Sequence, residues 1–347
     1  VKFSYVKGTR APIAVLNATP TDGVTPLTVT FTSDGSRDPD PADSIRFAWD
    51  FDDNGTVDST DPNPSFTYTT NGVYTARLTV TDSSGKTASA NTTITVGNTS
   101  PTVDVTVPAA GGLFAFGDTI PFAVTVSDPQ DGAIDCSRVE VTFVLGHDSH
   151  GHAEATANGC SGTLPTYPED VSHGGNVFGI VSASYTDLGG SGGVPALTSV
   201  DQVTVLQKKQ EVEHVTEQSG TNTAATADTG GGLQRGSLGN GDWISLNGTY
   251  NLQNIDSLTF RTSGGSGAAG TGAVEVRLDA VDGPILTTAT IAATASGTTY
   301  ASQTFPITNP GGAHRIYLVF RPVAGGPTNN FFNLNYVEFG GHGVSAP

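Results

Sequence analysis

Residues 45–55 read IRFAWDFDDNG, in which apolar side chains alternate with smaller or polar ones before the stretch turns acidic. Alternation with a period of two places one set of side chains on one face of a half-buried β-strand. The pattern returns in LTVTF at 27–31, YTARLTV at 74–80 and TTITV at 92–96, with clusters of Asp, Pro, Gly and Asn between the runs. No segment of helical period competes, so residues 11–97 are predicted to form a β-sandwich.

The composition extends an all-β prediction to the whole chain. Of 347 residues, 44 are Gly and 20 are Pro, while 36% are hydrophobic and 14% are charged. This balance is typical of extracellular β-modules, in which β-branched residues fill strands and Gly and Pro fill turns. The length leaves room for two or three domains.

The charge balance excludes two classes of partner. Thirty-three acidic residues against 15 basic ones give a formal charge of −18, which repels both nucleic acid and an anionic bilayer. The sequence also contains no run of about 18 apolar residues of the kind that spans a membrane. We therefore expect neither nucleic-acid binding nor membrane insertion.

The first sandwich resembles the polycystic-kidney-disease (PKD) domain. WDFDDNG at 49–55 stands where that family has its W-D-F-G-D-G signature, PIAVLNATPTDGVTPLTVTFTSDGSRDPD at 12–40 opens the module, and NGVYTARLTVTDSSGKTAS at 71–89 closes it. The resemblance covers the whole of residues 11–97 and implies an immunoglobulin-like fold.

Residues 98–207 continue the alternating pattern in runs such as IPFAVTVSD at 120–128 and VFGIVSASYTD at 177–187. They resemble a sandwich of the immunoglobulin or fibronectin type, a likeness of architecture that implies no function. Cys136 and Cys160 are the two cysteines of the chain. In a secreted protein they predict one disulfide, and the alternative is a pair of buried free thiols.

Residues 208–347 form the third predicted module. KKQEVEHV at 208–215, GDWISLNGTYNL at 241–252 and FFNLNYVEFG at 331–340 resemble, in this order, a family-6 carbohydrate-binding module. That family is a two-sheet jelly-roll. The predicted fold is thus three tandem β-sandwich modules.

The start of the chain is interpreted as the tail of an earlier element. Residues 1–10 begin the stretch VKFSYVKGTRAPIAV. This stretch resembles the junction between a sugar-dehydrogenase β-propeller and a PKD domain in secreted bacterial proteins. The resemblance implies a catalytic domain that precedes this region.

The acidic stretch after Trp49 has the spacing of a calcium-binding loop. Such a loop places oxygen ligands at positions 1, 3, 5, 7, 9 and 12, and Gly at position 6 provides the turn. Gly55 occupies position 6, and the predicted ligands are Asp50, Asp52, Asn54, Thr56, Asp58 and Asp61. The alternative is a polar β-turn whose acids face water.

The third module offers a second calcium site. In the family it resembles, two glutamates on the first strand and an acid near the end hold a structural calcium. Glu211 and Glu213 match the glutamates and are expected on one strand face, whereas Asn335 stands where the family usually has Asp. An amide oxygen still ligates calcium, but one negative charge is lost. A solvated edge strand is the alternative.

Carbohydrate binding needs aromatic platforms against the apolar faces of sugar rings, with amides and carboxylates meeting the hydroxyls. Asn333 matches the asparagine at the base of the family's loop-end cleft, and Tyr300 is the aromatic residue of the nearby loop. Leu246 stands where an aromatic residue is expected. Trp243 is a further candidate platform, although a tryptophan inside a strand pattern is more often part of the core.

A histidine cluster marks the middle module. GHDSHGH at 146–152 brings three histidines close together, and a fourth follows in the next loop. Imidazole suits zinc and similar ions, so a transition-metal site is predicted, with solvated loop histidines as the alternative. Its candidate ligands are His147, His150, His152 and His173.

No H-E-x-x-H helix or P-loop appears in the sequence, so an enzyme is not predicted. The sequence favours a secreted, non-catalytic accessory region, stiffened by calcium, that targets or spaces a catalytic domain of the same parent protein on polysaccharide. One alternative is a structural spacer or adhesion stalk that binds no glycan. Another is a metal-dependent enzyme that uses the cluster at 147–152.

Overall fold

The computed structural model describes residues 10–40, 44–147, 150–167, 177–229, 232–265 and 270–345. Strands and connecting turns make up these residues, apart from isolated short 3₁₀ segments such as Cys136–Arg138. The all-β prediction is therefore confirmed. No helix in the described part of the chain is long and apolar enough to cross a bilayer.

Contacts divide the chain into two compact units. The first contains residues 1–102, 126–134 and 185–199, and the second contains residues 103–125, 135–184 and 200–347. The boundaries predicted for the three modules stay a prediction.

The N-terminal sandwich, in the first unit, has a four-stranded sheet in the order β2-β7-β6-β4 and a three-stranded sheet in the order β1-β3-β5. Its strands are β1 Asn17–Thr19, β2 Asp22–Gly23, β3 Leu27–Thr32, β4 Arg46–Asp50, β5 Ser65–Tyr68, β6 Gly72–Thr81 and β7 Thr87–Val96.

Aromatic rings fill the core of this sandwich. Trp49 is fully buried, and the Phe31 ring lies 5.5 Å from it and 4.9 Å from the ring of Phe51. The Trp49 indole donates a hydrogen bond to the Asp61 carbonyl at 2.8 Å. Because a buried N–H must find a partner, this bond ties the far end of the 50–61 loop to the core.

Segments 126–134 and 185–199 belong to the same unit. The side chain of Asn98, which is fully buried, donates to Asp187 at 2.9 Å. The Tyr185 hydroxyl donates to Asp131 at 2.8 Å. These hydrogen bonds join the two segments to each other and to Asn98, and they satisfy the buried donors.

The strands between the two outer modules pair in two sheets, β13-β10-β8 and β12-β11-β14-β15-β9. Cys136 and Cys160 form a disulfide. The strands are β8 Thr102–Val107, β9 Leu113–Phe114, β10 Thr119–Ser127, β11 Glu140–His147, β12 His150–Asn158, β13 Ser161–Pro165, β14 Val177–Thr186 and β15 Thr198–Gln207.

The C-terminal module is a jelly-roll. One sheet has the order β18-β19-β28-β22-β25, with β16 also paired to β28, and the other has the order β17-β20-β27-β23-β24. The strands are β16 Lys209–Glu211, β17 Glu217–Ser219, β18 Asn222–Ala225, β19 Leu233–Gly236, β20 Trp243–Ser245, β21 Tyr250–Asn251, β22 Ile255–Ser263, β23 Gly272–Leu278, β24 Ile285–Ile291, β25 Tyr300–Pro306, β26 Ala313–His314, β27 Ile316–Arg321 and β28 Asn333–Gly341.

The jelly-roll core also receives a residue from outside the module. Leu113 of β9 is fully buried and belongs to the same hydrophobic cluster as Phe260, Leu318 and Val337. The backbone N–H of Val344 donates to the Leu113 carbonyl at 2.9 Å. The segment before β10 and the jelly-roll are thus packed together within the second unit.

Candidate functional sites

The structure brings together three of the carboxylates predicted for the first calcium loop. Asp50, Asp52 and Asp58 each offer an oxygen, and these oxygens lie within 4.8 Å of one another. Asp50 ends β4, and Gly55 turns the loop with φ of +84°, a value that favours glycine. The turn therefore folds the acids back toward the end of the strand.

Asp50 is held in its charged form. Its two carboxylate oxygens accept backbone hydrogen bonds from Asn54 at 3.1 Å and from Gly55 at 2.8 Å. Burial alone raises the pKa of the Asp50 carboxyl, but these hydrogen bonds outweigh burial and the pKa falls below its ordinary value. A charged carboxylate is the form that ligates calcium.

Hydrogen bonds within the loop and to the core engage several of its predicted ligands. The Asn54 side-chain oxygen accepts from the Thr56 backbone N–H at 2.7 Å, and one oxygen of Asp58 accepts from the Phe51 backbone at 2.7 Å. Asp61 is not among the three grouped carboxylates and contributes its carbonyl to Trp49.

The second predicted calcium set is split between a strand, a turn and a bulge. Strand β16 ends at Glu211, and Glu213 follows in a turn, so the expected shared strand face is wrong. Glu211 pairs with Lys209. One oxygen of Glu213 accepts from the Leu233 backbone at 3.3 Å, whereas its other oxygen is buried with no hydrogen-bond partner.

Asn335 lies in a bulge of β28, where the register with β22 shifts between Arg261 and Thr262. The side chain is 4% exposed, and its carbonyl oxygen is also buried without a partner. Its amide donates to Asp228 at 3.0 Å. Two orphaned buried oxygens, on Glu213 and Asn335, fit a hard cation, since such oxygens are otherwise costly.

Asp228 is a residue that the sequence reasoning missed. Arg261 donates two hydrogen bonds to its carboxylate, at 2.6 and 2.7 Å, and these bonds hold the pKa of Asp228 below its ordinary value. The only sequence signal was an acid just before the Gly run at 230–232.

Asn333 and Tyr300 flank a common residue. Both lie directly opposite Ser263, on either side of strand β22, so the three side chains share a face. The Asn333 amide donates to the Ser263 hydroxyl at 3.2 Å and to the Gly297 carbonyl at 3.3 Å. A cavity of about 130 Å³ lies here, lined by Ser237, Ser263, Gly264, Gly265, Gly297, Asn330, Phe331, Phe332 and Asn333.

The lining of this loop-end cavity exposes little aromatic surface. Phe331 and Phe332 are buried in the core, and exposed Ser237 lies at its edge. Tyr300 begins β25, and it is half-buried with its hydroxyl bonded to Gln234. The Arg261 guanidinium lies 5.9 Å from the Tyr300 ring centre, so this ring already has a partner.

Trp243 occupies a different face of the jelly-roll. It lies directly opposite Val319, which in turn lies opposite Glu275, so the three form a row on the outer face of the second sheet. The Trp243 ring is half-buried and lies 5.9 Å from the ring of Tyr317. With strands about 4.8 Å apart, Trp243 and Glu275 stand about 10 Å from each other.

Glu275 adds a fixed charge to this row. One carboxylate oxygen accepts hydrogen bonds from Arg277 at 2.8 and 3.1 Å and from Arg321 at 3.0 Å. Burial raises the pKa of Glu275, but these two arginines outweigh burial and lower it. Val319 therefore has an aromatic ring on one side. On its other side lies an oriented carboxylate with two guanidinium groups.

The histidine cluster forms at the end of the β11–β12 hairpin. His147, His150 and His152 offer ring nitrogens within 4.8 Å of one another. The predicted fourth ligand, His173, lies outside the described residues.

Family models match both ends of the chain. The PKD domain model matches residues 9–96, and the model of the family-6 carbohydrate binding module matches residues 211–341. Residues 9–96 are a PKD domain, and residues 211–341 are a family-6 carbohydrate-binding module. Trp243, Glu275 and Asn333 thus lie in the carbohydrate-binding module, and Asp50 lies in the PKD domain.

Enzymes of several kinds carry similar segments. An arabinoxylan arabinofuranohydrolase from Paenibacillus polymyxa is 29% identical over 150 residues, which are 42% of this chain and 22% of that enzyme. Collagenase ColA from Bacillus cereus is 29% identical over 142 residues, which are 38% of this chain and 14% of that protein. The chain therefore spans about a fifth or less of these relatives.

Solved structures similar to this chain include a family 6 carbohydrate-binding module from Clostridium cellulolyticum in complex with xylose. It is 28% identical and covers 38% of this chain and 95% of its own, with a TM-score of 0.34. A β-1,3-glucan binding module of the same family from Bacillus halodurans is 23% identical, covers 38% and 93%, and has a TM-score of 0.33.

Proposed function

We propose that this chain is a secreted, non-catalytic accessory region that binds polysaccharide through its C-terminal module. It holds or spaces a catalytic domain of the same parent protein on that polysaccharide. The two matched families are non-catalytic modules, and an arabinofuranohydrolase and a collagenase carry similar segments.

The row of Trp243, Val319 and Glu275 carries the proposal. Val319, between the other two, is only 1% exposed, so the sugar ring is placed over the Trp243 indole and beside the Glu275 carboxylate, on top of the row and not between its side chains. The indole face provides the apolar platform that sugar C–H groups need. Glu275 accepts hydrogen bonds from hydroxyls, and Arg321, half-buried beside it, donates them.

The loop-end cavity around Asn333 is the second candidate location for the same function. Its Asn333 amide is already bonded to Ser263 and Gly297, and its volume of about 130 Å³ is small compared with typical ligand pockets of about 300 Å³ or more. We therefore place the sugar against Trp243.

Calcium stabilises both modules in this proposal. In the PKD domain, Asp50, Asp52 and Asp58 provide the converging carboxylates. In the C-terminal module, the buried unpartnered oxygens of Glu213 and Asn335 provide the support. Calcium supplies the positive charge that the clustered oxygens need, which lowers the free energy of the folded state.

Affinity gel electrophoresis tests glycan binding. The gels contain arabinoxylan, xylan, β-1,3-glucan or hydroxyethylcellulose, and each is run with calcium and with chelator. We expect retardation of the wild-type protein on at least one glycan. Trp243→Ala should abolish it, because the apolar platform is lost, while Tyr300→Ala and Asn333→Ala should retain it.

Two results would change this assignment. Loss of retardation in Asn333→Ala but not in Trp243→Ala would move the site to the loop-end cavity. Absence of retardation on every glycan would favour the spacer without glycan binding.

A further inference from the structure

The histidine cluster of the β11–β12 hairpin is not explained by carbohydrate or calcium binding. His147 lies directly opposite His150, and His152 lies directly opposite Leu145. Residues two apart on a strand share a face. All three imidazoles therefore project from one face of the sheet, beyond the point where buried Leu145 closes the core.

The three rings converge. Their centres are 4.1 Å apart for His147 and His150, 5.0 Å for His150 and His152, and 5.3 Å for His147 and His152. The Nε2 atoms of His147 and His152 are 3.2 Å apart. Two nitrogens bound to one tetrahedral zinc ion, each at about 2.0–2.1 Å, lie about 3.3–3.4 Å from each other. The pair already has nearly this spacing.

The closest nitrogen pair of the cluster leaves a place for either a proton or a metal ion. Two ring nitrogens 3.2 Å apart need a proton or a metal ion between them, because two lone pairs repel and two N–H groups clash. A third imidazole on the same face adds a ligand that a simple hydrogen-bonded pair does not use. The formal charge of −18 also raises the local concentration of cations.

The cluster is open to ions from solvent. His150 and His152 are exposed, and β12 is an edge strand of its sheet. Neutral imidazole prefers borderline ions such as Zn²⁺, Ni²⁺ and Cu²⁺ over Ca²⁺, which requires six to eight oxygens. The site thus differs in chemistry from both clusters of carboxylate and amide oxygens.

We propose that His147, His150 and His152 form a binding site for a divalent transition-metal ion of the zinc class. The three imidazoles fill three positions of a tetrahedron, and the fourth position is open to water. This inference does not depend on glycan or calcium binding by the other modules.

Cobalt spectroscopy tests the site with tag-free protein that has been stripped of transition metals and saturated with calcium. Titration with Co²⁺ should produce the visible bands of four-coordinate cobalt and saturate at about one ion per chain, and Zn²⁺ should remove those bands. His150→Ala and His152→Gln should each abolish the bands. His342→Ala, which removes an exposed histidine elsewhere, is the matched control and should leave them unchanged.

Asp50→Asn changes the acidic loop and leaves the histidine cluster intact, so it should also leave the cobalt bands unchanged. Because His150 is exposed, thermal unfolding of His150→Ala without transition metal should match that of the wild type, which shows that the variant folds. Absence of four-coordinate bands in the wild type would overturn the proposal, and so would equal binding by the wild type and His150→Ala. In that case, the contact between His147 and His152 is a hydrogen bond only.

Discussion

Asn335 occupies the position at which its family usually has Asp, and its surroundings explain how the amide fits. The amide nitrogen donates to Asp228, which is also held by Arg261. A carboxylate at position 335 would face the Asp228 carboxylate without a donor between them, and like charges this close repel. The amide therefore satisfies Asp228 but leaves its own oxygen for a cation.

Asn335→Asp should make the C-terminal module more dependent on calcium. In chelator, the melting temperature should fall, because the new charge faces Asp228 and the donor is lost. In calcium, the added charge should strengthen binding, so the rise in melting temperature on calcium addition should exceed that of the wild type. Differential scanning calorimetry measures both quantities.

Asn333→Asp serves as the control, since Asn333 is on the same strand but bonded to Ser263 and Gly297. An equal calcium response in Asn335→Asp and the wild type would show that position 335 does not ligate the ion.

At the scale of elements, the disulfide joins the short 3₁₀ turn before β11 to the turn between β12 and β13. It closes a loop with a sequence separation of 24. The closed loop reduces the number of conformations available to the unfolded chain. Loop-closure arguments give a stabilisation of about 3 kcal/mol for a loop of this size.

The double variant Cys136→Ser/Cys160→Ser should unfold at lower urea concentration than the wild type. Without the disulfide, the unfolded state regains conformational entropy. The free energy of unfolding should therefore fall by about 3 kcal/mol. Urea unfolding with and without reductant measures it. Reductant should lower the stability of the wild type and leave the double variant unchanged, and equal midpoints for both proteins would contradict the prediction.

Leu113 tests the packing of β9 into the jelly-roll core. Leu113→Ala removes buried apolar atoms and should cost about 2–5 kcal/mol of unfolding free energy. Chemical unfolding is followed by tryptophan fluorescence, in which Trp243 reports on this module and Trp49 reports on the PKD domain, and only the Trp243 transition should shift.

Leu188→Ala is the matched control for this measurement. Leu188 is 70% exposed, so its loss should change stability by no more than about 0.5 kcal/mol. Similar effects of the two substitutions would show that Leu113 does not support the core.

At the scale of the whole molecule, acid stability follows from carboxylates with lowered pKa values. Burial raises most of these values, but hydrogen bonds and neighbouring cations outweigh burial. The affected groups are Asp50, Asp82, Asp118, Asp135, Asp228, Glu275 and Asp279. Each binds fewer protons in the folded than in the unfolded state near its ordinary pKa, so each stabilises the fold above that pKa.

We expect the urea midpoint in chelator to fall as pH decreases below about 4, because the contributions of these groups disappear as pH drops through their folded-state pKa values. Unfolding curves between about pH 3 and 7 measure this dependence. Asp228→Asn should show a shallower fall than the wild type, and a midpoint that stays constant or rises toward pH 3 would contradict the expectation.

The sequence by itself determined the all-β class and the two families, because strand periodicity and turn residues are local and several motifs occur in order. It also supplied candidate ligands for calcium and a transition metal, but it did not point to Asp228. Tertiary structure alone decided that Asp228 neighbours Asn335, that Tyr300 is engaged by Gln234 and Arg261, and that Trp243, Val319 and Glu275 form one row. The physical reason is that cross-strand register and bulges join residues far apart in the chain, and no local pattern specifies those pairings.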